Sequence, residues 1–80
     1  MITGGQLRAA RAYARVSAVE LAEMAGVART TVVKAESVNG PPPLTVTNLR
    51  LLQETLERMG VIFGADGEVN FKPAVRQDQG

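Results

Sequence analysis

Hydrophobic and small residues recur every three or four positions through the first 60 residues, which is the spacing of α-helices. Leu7, Ala10 and Ala14 follow it in an alanine-rich stretch. Thr3 and Gln6 stand in the capping-box pattern that begins helices. We therefore predict a first helix that ends near Ala14.

Two short helices are predicted next, one on either side of a glycine. Ser17 and Glu20 repeat the capping-box pattern, and Gly26 can end this second helix because glycine readily adopts the left-handed conformation. Residues 29–36 have the length and apolar spacing of a third helix. Their β-branched content is unfavourable for helix, so packing must stabilise it.

A fourth helix is predicted after a linker over residues 37–43. We interpret Pro41–Pro43 as a stiff connector, rather than as a proline-rich ligand for an aromatic groove. Thr45 can cap the helix and Gly60 can end it. Its apolar face consists of Leu49, Leu52, Leu56 and Met59.

The pattern changes to alternation in the last third of the chain. The alternating positions are Val61, Ile62 and Phe63, then Val69, Asn70 and Phe71, and turn residues lie between them. The predicted fold class is therefore mainly α: a four-helix domain over residues 1–60, followed by a β-hairpin over 61–72. Residues 73–80 are polar and aperiodic, so we expect a flexible tail.

Composition narrows the range of functions. The chain has 80 residues, enough for one small domain, and it has neither cysteine nor histidine. Disulfides, thiolate and imidazole metal sites and histidine-based catalysis are excluded, so we expect no enzyme, no metal and no cofactor. No apolar run approaches the ~20 residues of a membrane span, and Met1–Gly5 lack a secretory start. We expect a cytoplasmic protein without membrane contact.

Charge is unevenly distributed although the formal net charge is only +1. Residues 1–36 hold five basic and three acidic side chains, whereas residues 61–80 hold two basic and three acidic. A polyanionic partner should therefore meet the amino-terminal half.

The run SAVELAEMAGVARTTVVKAE, residues 17–36, resembles the Cro/XRE-type helix-turn-helix family of bacterial and phage repressors. The likeness covers roughly residues 5–60. It is carried by small Ala22, by Gly26 in the turn, and by the apolar positions Leu21, Ala25, Val27, Val32 and Ala35. The resemblance implies that the third helix enters the DNA major groove while the second braces it.

The same resemblance implies which residues contact DNA. They are Ser17, Ala28, Arg29, Thr30, Thr31, Val33 and Lys34. Arg29 could donate two hydrogen bonds to guanine, Val33 could meet thymine methyl groups, and Lys34 could reach a base or a phosphate. A merely solvated helix face would explain Arg29 and Lys34, but hardly an exposed Val33.

An internal ion pair between Arg11 and Glu36 is also implied, with phosphate binding by Arg11 as the alternative. Three departures limit the match to the family pattern. Ala18 replaces a common glutamine, Ala28 replaces a Ser or Thr cap, and the proline linker lacks basic residues.

The expected function is sequence-specific binding of double-stranded DNA by a transcriptional regulator, either a repressor or an autoregulator of a small, mobile-element-type operon. The rival is an antitoxin-like or anti-activator interaction module that binds another protein through the fourth helix and the hairpin. No small-molecule ligand is expected in so small a core.

Weak binding by one copy favours a homodimer on a roughly palindromic operator. An isolated hairpin is marginal in water, so a second copy could cover it. The expected interface residues are Leu51, Thr55, Val61, Ile62, Phe63, Val69 and Phe71. The alternative is a hairpin folded back on its own helices.

Overall fold

The computed structural model describes residues 2–71 as four helices followed by a two-stranded antiparallel hairpin. The elements are α1 (Gly4–Ala14), α2 (Ala18–Ala25), α3 (Arg29–Glu36), α4 (Val46–Arg58), β1 (Val61–Phe63) and β2 (Val69–Phe71). The predicted fold class is confirmed. Lys72 and the predicted tail, residues 73–80, lie outside the described residues.

Local capping interactions fix where the first two helices begin. The Thr3 hydroxyl accepts a hydrogen bond from the Gln6 backbone at 3.1 Å, and the Gln6 side chain accepts one from the Thr3 backbone at 2.9 Å. Ser17 and Glu20 make the same reciprocal pair before α2. Each pair satisfies two of the backbone groups that a helix start leaves free.

Two left-handed residues produce the sharp changes of direction on either side of α2. Arg15 has a φ of 61°, a conformation uncommon outside glycine, and it turns the chain from α1 into α2. Gly26 ends α2 with a φ of 76°, where glycine has no steric penalty. The turn into α3 therefore takes only residues 26–28.

One hydrophobic core holds the helices together. Its fully buried large side chains are Leu7, Leu21, Val32, Leu52 and Leu56, contributed by all four helices. Ile2 is buried as well, although its position before α1 gave it no periodic signal. Val27 and Met59 are only partly buried at the margin of this core.

A close backbone contact joins the start of α1 to the segment after α3. The Gly4 amide donates to the carbonyl oxygen of Gly40 at 2.9 Å, and the Gly5 amide donates to that of Asn39 at 3.4 Å. A β-carbon on Gly4 would overlap the carbonyl oxygens of Ala35 and Val38. Glycine at position 4 is therefore required to bring α1 onto the end of α3.

The hairpin lies on the helices of its own chain. Val61 pairs with Phe71 and Phe63 with Val69. Val61 is buried, and the other three side chains pack against the helical core. Phe71 also stacks on Tyr13 of α1, with 4.5 Å between the ring centroids.

This packing matches the alternative of a hairpin folded back on its own helices, whereas the association of two copies stays a prediction. Val61 is buried, and Phe63, Val69 and Phe71 are partly buried against the core, which supplies the apolar surface that a two-stranded hairpin needs. Thr55 is also buried; its hydroxyl donates to the Leu51 carbonyl at 2.7 Å. Leu51 and Ile62 are the members of the expected interface that remain exposed.

A buried amide fastens the hairpin to α1. The Gln6 side-chain nitrogen donates to the carbonyl oxygens of Gly64 and Glu68, at 3.1 and 3.3 Å. These two residues flank the hairpin turn and are themselves joined through the Gly64 amide and the Glu68 carbonyl at 2.9 Å. Gln6 therefore links a helix cap to a segment about 60 residues away.

Within residues 2–71, none of the helices combines the length and apolar character needed to cross a bilayer.

Candidate nucleic-acid interface

The outward face of α3 is the surface on which the predicted DNA contacts gather. Val32 and Ala35 are fully buried and fix the inner face of the helix against the core. Ala28, Arg29, Thr30, Val33 and Lys34 are exposed, and Thr31 is half-buried. The structure thus brings six of the seven predicted residues together on one short helix and its cap.

This face combines positive charge with small apolar groups. Arg29 and Lys34 are its charged residues, and Val33 is 51% exposed between them. An exposed valine contributes nothing to the core, but it could contact the methyl group of a thymine. The face therefore places charged donors beside an exposed apolar group.

Glu36, the acidic residue of α3, is paired with Arg11 of α1 and does not belong to this exposed face. Both Glu36 oxygens accept hydrogen bonds from Arg11, from Nε at 2.8 Å and from Nη2 at 3.0 Å. Arg11 also donates to the carbonyl oxygen of Val16 at 3.2 Å. The hydrogen bond to Glu36 raises the pKa of Arg11 above its ordinary value; burial opposes this, and the attraction between the two charges adds to it.

Arg8 is a second internal cation, and sequence reasoning assigned it no role. Its guanidinium donates to the backbone carbonyls of Glu36 and Val38 and to the side chain of Asn39. A cation at a helix carboxyl terminus also meets the negative end of the helix dipole. Arg8 and Arg11 therefore secure the end of α3, and neither guanidinium belongs to its exposed face.

The start of α3 lacks a side-chain cap. Ala28 has the extended conformation of a helix cap, with φ −72° and ψ 148°, but it has no oxygen to accept from the first turn. The amide groups of that turn are therefore not engaged by the cap side chain. These amides and Arg29 both lie at the amino-terminal end of α3.

Ser17, the remaining predicted contact, lies at the start of α2 and is exposed. Its oxygen accepts from the Glu20 amide at 3.0 Å, and the Glu20 carboxylate accepts from the Ser17 amide at 2.8 Å. A phosphate at this helix end would meet that carboxylate. The carboxylate therefore disfavours direct binding of a phosphate to the α2 amides, whereas the Ser17 hydroxyl proton can still be donated.

A polar cleft beside α3 adds residues that the sequence did not assign to the interface. It has a volume of about 220 Å³ and is lined by Thr30, Thr31, Lys34, Pro43, Leu44, Thr45 and Asn48. Thr45 was recognised only as the cap of α4, where it accepts from the Asn48 amide at 3.1 Å. The proline linker places this cap next to Lys34, and local sequence carries no signal of that proximity.

Residues 2–71 contain no cluster of three or more carboxylate side chains that could hold a metal ion. No protein-family model matches the chain, and no curated protein is significantly similar to it.

Proposed function

We propose that this chain binds double-stranded DNA in a sequence-specific manner and acts as a transcriptional regulator, most simply as a repressor or autoregulator of a small operon. The observation that carries the proposal is the outward face of α3. It presents Arg29, Thr30, Val33 and Lys34 on a helix whose other face is fully buried.

The rigidity of α3 supports this function. An eight-residue helix with mediocre propensity is marginal alone, yet here its inner face lies in the core and its end is tied to α1 by Arg8 and Arg11. Base recognition requires side chains held in a defined position. The internal contacts of α3 provide that support without using its exposed face.

The geometry also favours α3 as the reading helix over α2. The helices are linked by a three-residue turn, and their mutual packing is the most extensive between any two helices here. In such a unit the second helix enters the major groove while the first braces it. Backbone contacts would then fall to groups beside α3, including Lys34, Thr45 and Asn48 in the adjoining cleft.

Binding to the region upstream of the chain's own coding sequence tests the proposal. Fluorescence anisotropy would compare a labelled duplex of that region with a scrambled duplex of equal composition at two salt concentrations. We expect the native duplex to bind at least ~1,000-fold more tightly, as for specific recognition generally. Arg29→Ala should remove most of this preference.

Arg58→Ala is the matched control, since it removes the same charge from an exposed arginine near the far end of α4. The start of α4 borders α3, and a 13-residue helix is ~20 Å long, so Arg58 lies well away from the cleft. Equal affinity for both duplexes, or no binding to either, would reject the proposal and favour the rival protein-interaction module.

A further inference from the structure

One face of α4 is exposed beside the core, and it carries a basic and an acidic residue seven positions apart. Val46, Arg50, Gln53 and Glu57 recur at the spacing of a single helical face. With Leu49 and Glu54 they line a shallow cleft of about 320 Å³. We call Val46, Arg50, Gln53 and Glu57 the α4 stripe; Val46, at its start, is 56% exposed.

The two charges of the α4 stripe do not meet within one chain. Arg50 and Glu57 are seven residues apart, which separates them by ~10 Å along the helix. The ion pair found within residues 2–71 is that of Arg11 and Glu36, so neither Arg50 nor Glu57 is neutralised this way. Gln53 donates to the Glu57 carboxylate at 3.1 Å and holds it on the stripe.

We infer that the α4 stripe binds the same stripe of a second copy of this chain, with the two α4 helices antiparallel. A two-fold axis between positions 53 and 54 places Arg50 opposite Glu57 of the second copy, and the symmetry repeats the pair. Gln53 then faces Glu54 of the second copy, and Val46 faces position 61, just beyond the end of the second α4. The arrangement is therefore self-complementary in charge.

Leu51 and Ile62 are also exposed and apolar, but their side of the molecule lacks this charge complementarity. Leu51 lies about 120° around α4 from the stripe, given 100° per residue. On that flank the Arg58 guanidinium already donates to the Thr55 hydroxyl of its own chain at 3.2 Å. The charge pattern therefore favours the α4 stripe over the side of α4 that carries Leu51.

The size of the contact sets the expected affinity. A 13-residue helix is ~20 Å long, and two such helices bury less than the ~1,600 Å² of a standard interface. Dissociation in the range of ~1–100 µM is expected. The inference does not rest on DNA binding, and it is tested without DNA, so it can fail or stand independently of the proposed function.

Analytical ultracentrifugation of the full chain, from ~1 to ~500 µM, is the test. The native chain should show a reversible monomer–dimer equilibrium. Arg50→Glu and Glu57→Arg should each weaken it at least ~10-fold, because each places like charges opposite one another twice. Glu23→Arg makes the same charge change as Glu57→Arg at an exposed position of α2, and it should leave the equilibrium unchanged.

Mixing the two charge variants gives the decisive measurement. In a heterodimer of Arg50→Glu with Glu57→Arg, every pair is again of opposite charge, so an equimolar mixture should recover native dimerisation. The double variant R50E/E57R should likewise dimerise with itself. A purely structural role for either residue would produce neither recovery.

Three results would overturn the inference. The first is a native chain that stays monomeric to ~500 µM, and the second is a mixture that does not recover. The third is a dimer disrupted by Ile62→Glu but not by either charge variant, which would place the interface at the hairpin. Should a charge-reversed chain fail to fold by circular dichroism, Arg50→Gln and Glu57→Gln must still weaken the dimer measurably.

Discussion

Arg11 of α1 and Glu36 of α3 are joined by two hydrogen bonds, from Nε at 2.8 Å and from Nη2 at 3.0 Å, across 25 positions of sequence. The carboxylate side chain is 9% exposed and the guanidinium side chain 28%. Such a two-pronged pair fixes orientation as well as distance. The last turn of α3 is therefore held at a defined angle to α1.

Removing either partner should destabilise the domain. We expect Arg11→Ala and Glu36→Ala each to lower the free energy of unfolding by ~1.5–3 kcal/mol, since each leaves a partly buried charge without its partner. The double variant should lose less than the sum of both, as measured by urea denaturation. Strict additivity would contradict a direct interaction between the two side chains.

The pH dependence of this contribution follows from the raised pKa of Arg11. A basic group whose pKa is raised by folding stabilises below its unfolded pKa, which for arginine lies far above pH 9, and loses that contribution only above it. Arg11 therefore stays charged between pH 6 and 9. The stability lost through Arg11→Ala, measured by denaturation, should not change over this range because of Arg11.

Gly4 and Gly5 offer a matched pair of substitutions in the first turn of α1. A β-carbon at Gly4 would overlap two backbone carbonyl oxygens, whereas at Gly5 the nearest atom would be the Asn39 oxygen at 3.5 Å. Gly4→Ala should lower stability by ~1–3 kcal/mol or more, and Gly5→Ala should raise it by up to ~1 kcal/mol through helix propensity. Thermal unfolding of both variants tests this, and equal effects would contradict the close approach at Gly4.

The helices could be predicted from the sequence because their ends depend on neighbouring residues. Thr3 with Gln6 and Ser17 with Glu20 are each three positions apart, so their capping boxes are visible in the sequence and present in the structure. Gly26 ends α2 for an equally local reason. Short-range interactions of this kind require no knowledge of the tertiary fold.

The orientation of the hairpin could not be predicted in the same way. Alternation of Val61, Ile62 and Phe63 defines two faces, but it does not say whether the apolar face meets the same chain or another. That choice depends on the surface formed by α1 and α4, and on the contact between Gln6 and Gly64 across 58 positions. The role of Arg8 at Glu36 and Val38 was missed for the same reason.

The cap of α3 can be improved by one substitution. Ala28 already has the extended backbone of a cap residue, so Ala28→Ser would supply a side-chain oxygen to the first turn, where the Thr31 amide donates only to the Ala28 carbonyl at 3.0 Å. We expect a gain of ~1 kcal/mol, seen as a higher Tm. Ala9→Ser, at an exposed position inside α1, should instead be neutral or destabilising. A gain of equal size at both positions would exclude capping as the cause.

Arg29 and Lys34 should differ in how they contribute to the proposed DNA binding. Arg29→Ala should cost ~1–3 kcal/mol on the native duplex and relax the preference at one or two base pairs. Lys34→Ala should weaken binding to any duplex, and should reduce the slope of log affinity against log salt by about one if it contacts phosphate. An unchanged slope would assign Lys34 to base recognition or to no contact. Equal losses on native and scrambled duplexes would remove Arg29 as a base reader.

Gln6 is the residue on which the attachment of the hairpin should depend most. Gln6→Glu keeps the oxygen that accepts from the Thr3 amide, but it replaces the nitrogen donor to Gly64 and Glu68 with a second oxygen. We expect a loss of ~1–3 kcal/mol at pH 7, because the two hairpin carbonyls would lose their donor and face a carboxylate.

Protonation should reverse part of this loss, since a protonated carboxyl at position 6 can again donate. Folding would raise the pKa of the introduced glutamate above its unfolded value of about 4.3, so its penalty should be smallest below that pH and grow as pH rises. Near-ultraviolet circular dichroism of Tyr13, the chain's single tyrosine, reports on the hairpin through its stacking on Phe71. A Gln6→Glu chain with an unchanged Tyr13 signal, and with the same loss of stability at pH 4 and pH 7, would show that the Gln6 amide does not hold the hairpin.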